Sequence, residues 1–419
     1  TMAFSAKAVV LATGGAGKSW KYTSNSWECT GDGHAMALWA GADLIDMECV
    51  QFHPTGMVWP VSVRGLLVTE GVRGDGGVLR NSQGHRFTFD YVADMFRAET
   101  ADSEEEADRW YEDHSAGRRP PELLPRDEVA RAINTEVKSG RGSAHGGVFL
   151  DIASRRSSEY IRRRLPSMYH QFMELAGVDI TKEAMEVAPT CHYIMGGVRV
   201  DADTAAATVP GLFVAGETAG GMHGSNRLGG NSLSDLLVFG RRAGKAAADL
   251  ASGRARPDLD WTEIDAIEQE SRSPLGRQGG ENPYDVHHDL QETMQSLVGI
   301  IRNGDDLDLA LERLEELSAR AQKLSVGGGP AYNPAWNLAT DLPAMLAVSL
   351  CVTLGARERK ESRGGHTRED YPRADPELGK VNLVQRQLSG GGTQAEIKVT
   401  PEPIPQLPEE LERLFEEDH

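Results

Sequence analysis

Four cysteines in 419 residues are few, and no two of them stand as a C-x-x-C pair. Cys29, Cys49, Cys191 and Cys351 therefore offer no zinc or iron–sulfur ligand set. They read as reduced thiols of a cytosolic compartment. Positive charge is also in deficit: 44 Lys and Arg face 63 Asp and Glu, a net charge of −19. That balance argues against a nucleic-acid or anionic-membrane binder. No apolar run reaches the ~20 residues of a spanning helix. The nearest, Leu342 to Leu350, reads as a buried helix, and no signal peptide is visible. H-E-x-x-H, G-x-S-x-G and Walker sequences are missing too, which leaves neither a metal site nor a serine-type triad in view. Internal repeats are also absent.

Glycine, by contrast, is plentiful, with 46 copies. The most informative stretch is Gly224-Ser225-Asn226-Arg227-Leu228-Gly229-Gly230-Asn231-Ser232-Leu233. It joins an arginine that can grip a carboxylate to a turn that can open a helix, expected from Ser232 through Gly240 and onward. Small residues before a helix N-terminus let backbone approach a ligand, and the positive end of the helix dipole favours negative charge there.

Lys7 to Gly15 is an apolar run ending in a glycine pair, the pattern of a buried strand delivering a tight turn. Thr30 to Ala42 reads as a capped helix, and Val209 to Glu217 repeats the strand-then-glycine form. Two such strands far apart imply one α/β domain interrupted by an insertion from about Glu48 to Thr190. Within it, Gly74 to Leu79 looks hairpin-like. Thr100 to Arg109 looks like a solvated surface excursion that ends at Arg118-Arg119-Pro120-Pro121. After Gly253 the pattern turns helical, with apolar spacing over Asp289 to Arg302 and Leu307 to Lys323. From Arg357 the chain is a charged, proline-interrupted tail. The expected division is 1–48 and 191–254 for the α/β domain, 49–190 for an α+β capping domain, 255–356 for a helical bundle and 357–419 for the tail. Thr1 stands where an initiator methionine would, so the chain is expected to be the later part of something longer.

Candidate chemistry lies in the glycine-rich settings. His53, in Gln51-Phe52-His53-Pro54-Thr55-Gly56, is biased to an extended backbone by Pro54. His192 precedes Tyr193-Ile194-Met195-Gly196-Gly197. Thr69 offers a hydroxyl, and Glu70 and Arg73 lie three apart between glycines. Arg126 stands at the mouth of a helix. Arginine forks bind carboxylates in bidentate fashion, and His and Thr donors can hold a second one. The set suits a small dicarboxylate.

Taken in order, these stretches resemble the flavoprotein subunit of succinate dehydrogenase and fumarate reductase. The likeness is carried by Leu11 to Gly15, Thr30 to Gly33, Gln51 to Gly56, Thr69 to Gly71, Arg126 to Arg131, Pro189 to Tyr193, His223 to Leu233 and Ser362 to Pro372. It implies an FAD-binding Rossmann-like domain, incomplete here, interrupted by the capping domain and followed by the helical domain and tail. It implies that Arg227 and His192 clamp one carboxylate of succinate or fumarate while His53 and Thr69 hold the other. Arg126 would move the proton, with Glu70 and Arg73 as its relay to solvent, while hydride passes between the carbon and flavin N5. FAD contacts would come from Gly14, Gly15, Asp32, Glu217, Ser232 and Leu233.

The resemblance also implies an iron–sulfur subunit, and through it a membrane anchor and quinone, at the cytoplasmic face of a bacterial inner membrane. The length of the Ala98 to Pro121 excursion resembles the actinobacterial, menaquinone-using form. The family's G-x-G-x-x-G turn and its flavin-linked histidine are not on this chain; Gly14-Gly15-Ala16-Gly17 is not that fingerprint. L-Aspartate oxidase shares most of these motifs, but Gly229, Gly230 and Asp235 side with succinate dehydrogenase. A fragment that has lost its cofactor is the third reading.

Overall fold

A computed structural model describes residues 2–389, 396–406, 408 and 410. In chain order the strands are β1 (Val9–Leu11), β2 (Leu44–Ile45), β3 (Val50–Met57), β4 (Val78–Arg80), β5 (Val148–Asp151), β6 (Met185–Ile194), β7 (Gly197–Val198), β8 (Leu212–Val214), β9 (Val381–Ser389) and β10 (Glu396–Pro403). The helices are α1 (Asp32–Trp39), α2 (Gly71–Gly74), α3 (Glu104–Glu112), α4 (Arg126–Glu136), α5 (Ser158–Arg164), α6 (Pro166–Ala176), α7 (Asn231–Ser252), α8 (Trp261–Gly276), α9 (Pro283–Leu297), α10 (Gly304–Ala321) and α11 (Pro334–Glu358).

The two strand-then-glycine segments do come together: β1 pairs parallel with β8, Val10 opposite Phe213. The capping region is an antiparallel sheet of order β3-β6-β5-β4, with α4 laid across it. Its own apolar cluster joins Met57, Val68 and Leu79 to Val129, Ile133 and Val187. Residue 190 falls inside β6, which runs on to Ile194.

Three helix starts in the C-terminal half follow from asparagine. The side chains of Asn282, Asn303 and Asn333 each accept a backbone N–H of the first turn of α9, α10 and α11. Such a cap stabilises a helix by about 1 kcal/mol. Asn282 with Pro283 starts α9 earlier than the apolar spacing implied, because proline tolerates the first helical position. Val286, Leu290, Met294 and Leu297 then share one buried face, opposite Leu307, Leu314 and Leu317 of α10. α11 is long and apolar enough to cross a membrane, contrary to the reading of Leu342 to Leu350 as too short. Yet 67 % of its most apolar window is buried within the molecule, where it packs on α9, α10 and α1. It is the core helix.

Three other local expectations change. Gly74 to Leu79 is not a hairpin: α2 ends at Gly74, and β4 pairs with the distant β5. The polar excursion folds back on the domain, since α3 buries Ala107 and its Tyr111 hydroxyl donates to the Arg73 carbonyl (2.9 Å). The charged tail contains β9 and β10, which extend the β2–β7 pair into a four-stranded sheet.

Candidate active site

β3 and β6 lie antiparallel, with Gln51 opposite Tyr193, Phe52 opposite Cys191 and His53 opposite Thr190. Slips in register after Gln51 and after His53 break the strict alternation of faces. His53 and His192 consequently meet edge to face, ring centroids 5.3 Å apart. His53 is 1 % exposed, with Nδ1 3.0 Å from the Thr55 carbonyl oxygen. The Ser24 hydroxyl stands 2.7 Å from His192 Nδ1. Burial, together with nearby Arg126 and Arg227, pushes the His192 imidazole down to about 4. Burial and the charges of Arg73, His192 and Arg126 push His53 well below the usual imidazole value. Both rings are neutral near pH 7, and each can donate one ring N–H.

Arg126 is the first residue of α4. Its Nε donates to Glu70 Oε2 (3.2 Å) and its Nη1 approaches Gln51 Oε1 (3.3 Å). Arg227 comes from the loop before α7 and reaches the same oxygen with Nη2 (3.0 Å), while its Nη1 donates to the Ser232 hydroxyl (3.3 Å). Its guanidinium lies over the Tyr193 ring, 4.2 Å from the centroid. Asn226 Nδ2 donates to Asp127 Oδ1 (2.7 Å), tying that loop to the first turn of α4. Gly229 makes the approach possible, because a Cβ there would stand 3.1 Å from Arg126 Nη2. Burial, then the charge of Arg126, lowers the Arg227 pKa. His53, Arg126, His192 and Arg227 thus form one cluster.

Thr69 and Glu70 lie at the edge of this cluster. Thr69 Oγ1 accepts the Gly71 N–H (3.3 Å), which leaves its own proton to donate. The Glu70 side chain is 46 % exposed and faces Arg126 and, at 3.7 Å, Arg73 Nη2. Arg73 does not reach solvent. It is 1 % exposed beneath α3, donates through Nη1 to the Glu122 carbonyl, and has no hydrogen-bond partner at Nε or Nη2 among the described residues. Of the expected relay pair, Glu70 is the member open to water, because the excursion expected in solvent covers Arg73.

A cavity of about 380 Å³ adjoins the cluster, lined by Ala12, Gly14, His192, Gly216, Glu217, Arg227, Ser232 and Leu236 among others. Gly14 turns with φ +80°, and Gly15 makes room for Glu217, whose carboxylate would collide with a Cβ there. Burial raises the Glu217 carboxyl to about 7, and its Oε1 accepts the Ile194 N–H (3.0 Å). α7 begins after Gly230 (φ +85°) with no side chain capping its first turn; the Asn231 and Leu233 N–H groups bond to the Leu228 and Gly230 carbonyls, and the positive dipole end is left without an acidic side chain. Asp32 lies elsewhere, in the first turn of α1 with its carboxylate bonded by the Thr30 hydroxyl, and is outside the cavity lining. Leu233 is 67 % exposed and also outside it. Glycines that admit close approach and an uncapped helix end beside a carboxylate fit the ring end of FAD. Gly14, Glu217 and Ser232 line the cavity and would hold it, with Gly15 giving the Glu217 carboxylate its room.

Gln51 stands in the Gln51 to Gly56 stretch, where the sequence assigns it no role. A glutamine in a strand gives no periodic signal; only the pairing of β3 with β6 and the fold-back of the Arg227 loop reveal it.

The FAD binding domain model matches residues 1–233, and the fumarate reductase flavoprotein C-terminal model matches residues 287–410. The chain is 44 % identical over 391 residues to a chain of the fumarate reductase (CoM/CoB) of Methanothermobacter marburgensis, covering 92 % of this chain and 65 % of that protein. Sdh1 of Mycobacterium smegmatis in complex with UQ1 superposes with a TM-score of 0.83 at 56 % identity, over 98 % of this chain and 64 % of that one. A quinol-fumarate reductase with menaquinol molecules superposes at 0.81 and 32 % identity, over 96 % and 67 %. The chain spans less than two thirds of the length of the curated relatives it matches. With both halves matched, the chain belongs to the FAD-dependent flavoprotein-subunit family of fumarate reductases and succinate dehydrogenases.

Proposed function

We propose that this chain supplies the dicarboxylate site of a flavoprotein that interconverts succinate and fumarate. The observation that carries the reading is the convergence of Arg126, Arg227, His53 and His192 beside a cavity that ends at an uncapped helix N-terminus. Two guanidinium groups and two neutral imidazoles suit a dianion, and little else small and soluble needs both.

In this mechanism Arg227 and His192 hold one carboxylate, and His53 with the Thr69 hydroxyl holds the other. FAD, when bound, supplies the chemistry of an electron-pair acceptor or donor. Holding the diacid at both ends fixes the reacting carbon in place, which makes the transfer effectively unimolecular. Removing two hydrogens from succinate takes one away with its electron pair and leaves one as a proton. Arg126 passes its Nε proton to Glu70 as it accepts that proton from the adjoining carbon, and the same two transfers run backwards in the reverse direction. An arginine is a weak acid, so no free neutral guanidine persists. Glu70, bonded to Arg126 Nε and half exposed, takes the charge onward to water. Arg73, buried behind Glu70, stands 3.7 Å from that carboxylate.

The electrons need an outlet, and the four cysteines offer no cluster motif. The proposed outlet is an iron–sulfur subunit, then a membrane anchor and quinone, at the cytoplasmic face of a bacterial inner membrane. The names of the relatives support this assembly.

The test is Arg126→Ala and Arg126→Lys in the complete flavoprotein with its partner subunits. Succinate oxidation should fall by about 10³-fold or more in both, as expected for loss of a positioned proton carrier, with flavin content unchanged. Turnover by the alanine variant within tenfold of the parent removes the proton-transfer role.

A further inference from the structure

We propose that Gln51 is a positioning residue that sets the spacing and the net charge of the two site arginines, given the dicarboxylate reading above. Its side chain is 1 % exposed and makes contacts at both ends of the amide. Oε1 faces Arg126 Nη1 (3.3 Å) and Arg227 Nη2 (3.0 Å). Nε2 donates to Asn226 Oδ1 (2.8 Å) and to the Arg227 carbonyl (2.7 Å). The orientation of the amide is not ambiguous. Guanidinium groups only donate, and a carbonyl only accepts, so the flipped amide would lose all four contacts.

This arrangement solves a problem that arginine alone cannot. Two guanidinium groups repel, and burial strengthens the repulsion. A shared acceptor lets them stand together before any ligand arrives. A carboxylate could do the same, but its charge would cancel one of the two positive charges that the substrate must meet. An amide accepts from both arginines and leaves the charge of the pair intact. Its other end fixes the main chain of Arg227 and, through Asn226 to Asp127, the first turn of α4 that carries Arg126. One neutral side chain thereby ties both arginines to β3, beside His53.

A residue that only braced the strand would tolerate an isosteric change of charge. Gln51→Glu keeps the shape and the shared acceptor while adding a negative charge and losing the two Nε2 contacts; Gln51→Met keeps the length and removes all four contacts. In the complete flavoprotein with its partner subunits, Gln51→Glu should raise the KM for succinate and the inhibition constant of malonate together, each by about tenfold or more. That corresponds to roughly 1.4 kcal/mol. Flavin content should stay at the parent's value. Gln51→Met should lower kcat/KM by about tenfold or more, with kcat affected as well as KM because Arg126 loses its anchor. KM and malonate inhibition within twofold of the parent in Gln51→Glu overturn the inference. If Gln51→Met fails to assemble, the isosteric glutamate variant alone decides. A parent enzyme that does not turn over succinate would sink the functional reading, whereas an active parent with indifferent Gln51 variants sinks only this one.

Discussion

Arg126 and Arg227 meet at one amide oxygen, and the imidazoles beside them have lost their charge. The physics is the same in both cases. Burial penalises charge, so the site keeps two positive groups that cannot readily be neutralised and lets the histidines go neutral. His34 shows the same effect away from the chemistry. It is fully buried in α1, and burial lowers its imidazole from 6.5 to about 4. Between pH 6.5 and 4 the unfolded chain therefore binds a proton at His34 that the folded chain does not. The stability this residue contributes is intact above pH 6.5 and lost as pH falls towards 4, by roughly 3 kcal/mol in all. A His34→Gln variant should lose correspondingly less stability than its parent between pH 7 and 4.5, read by denaturant unfolding. Equal losses would mean that the ring is not held neutral. At this scale, legibility depended on neighbours. His53 beside Pro54 and His192 before a Gly-Gly pair stood out in the sequence. Gln51 did not, since its meaning lies in four contacts, all to residues 75 or more positions away. Asp32 and Leu233 were placed at the cofactor by motif, but their side chains lie outside the cavity lining.

Three elements bring these side chains together: the irregular β3–β6 pair, the start of α4 and the loop into α7. A fourth holds the loop. Gly364 and Gly365, in the tail, press against Ser225, and the Gly365 N–H donates to the Ser225 carbonyl (2.8 Å). Gly364 has φ +54°, and a Cβ there would stand 2.5 Å from that carbonyl oxygen. The conformation disfavours any other residue, and the obstacle is backbone that cannot swing aside. Gly364→Ala should lower stability by about 1–3 kcal/mol. It should also raise the KM for succinate several-fold by shifting the loop that carries Arg227. A lower thermal midpoint with unchanged KM would mean that the tail braces the fold without setting the loop. Helices were readable from spacing and from Asn caps, and the strand-then-glycine segments from their apolar runs. The joining of β9 and β10 to β2 was not. Charged, proline-broken sequence looks like a tail until the partner strand, more than 300 residues away, is known. The excursion misled for a related reason: its polar face is real, but Tyr111 and Ala107 turn inward.

Over the whole molecule, buried charge joins the parts. Arg359 donates to Glu48, Glu361 and Asp46, and Arg302 donates to the Glu48 carbonyl and approaches His366. Glu48 and Asp46 sit between β2 and β3, where the chain passes from the α/β domain into the capping domain. The tail thus fastens the hinge of the insertion as well as the Arg227 loop. A chain of net charge −19 nonetheless gathers Arg126 and Arg227 at one place, with Arg73 behind them. The overall class was legible because the motifs recur in order along nearly the whole chain. The charge network was not, because its members are scattered from residue 46 to residue 366.

The most direct test of the central claim is a titration of the complete flavoprotein with malonate and fumarate, followed by flavin absorbance, in the parent and in Arg227→Ala. The parent should bind both diacids, and the alanine variant should bind them about 10²-fold more weakly or worse, since it leaves a buried substrate carboxylate unpaired. Equal affinity in the two proteins would contradict the dicarboxylate site described here.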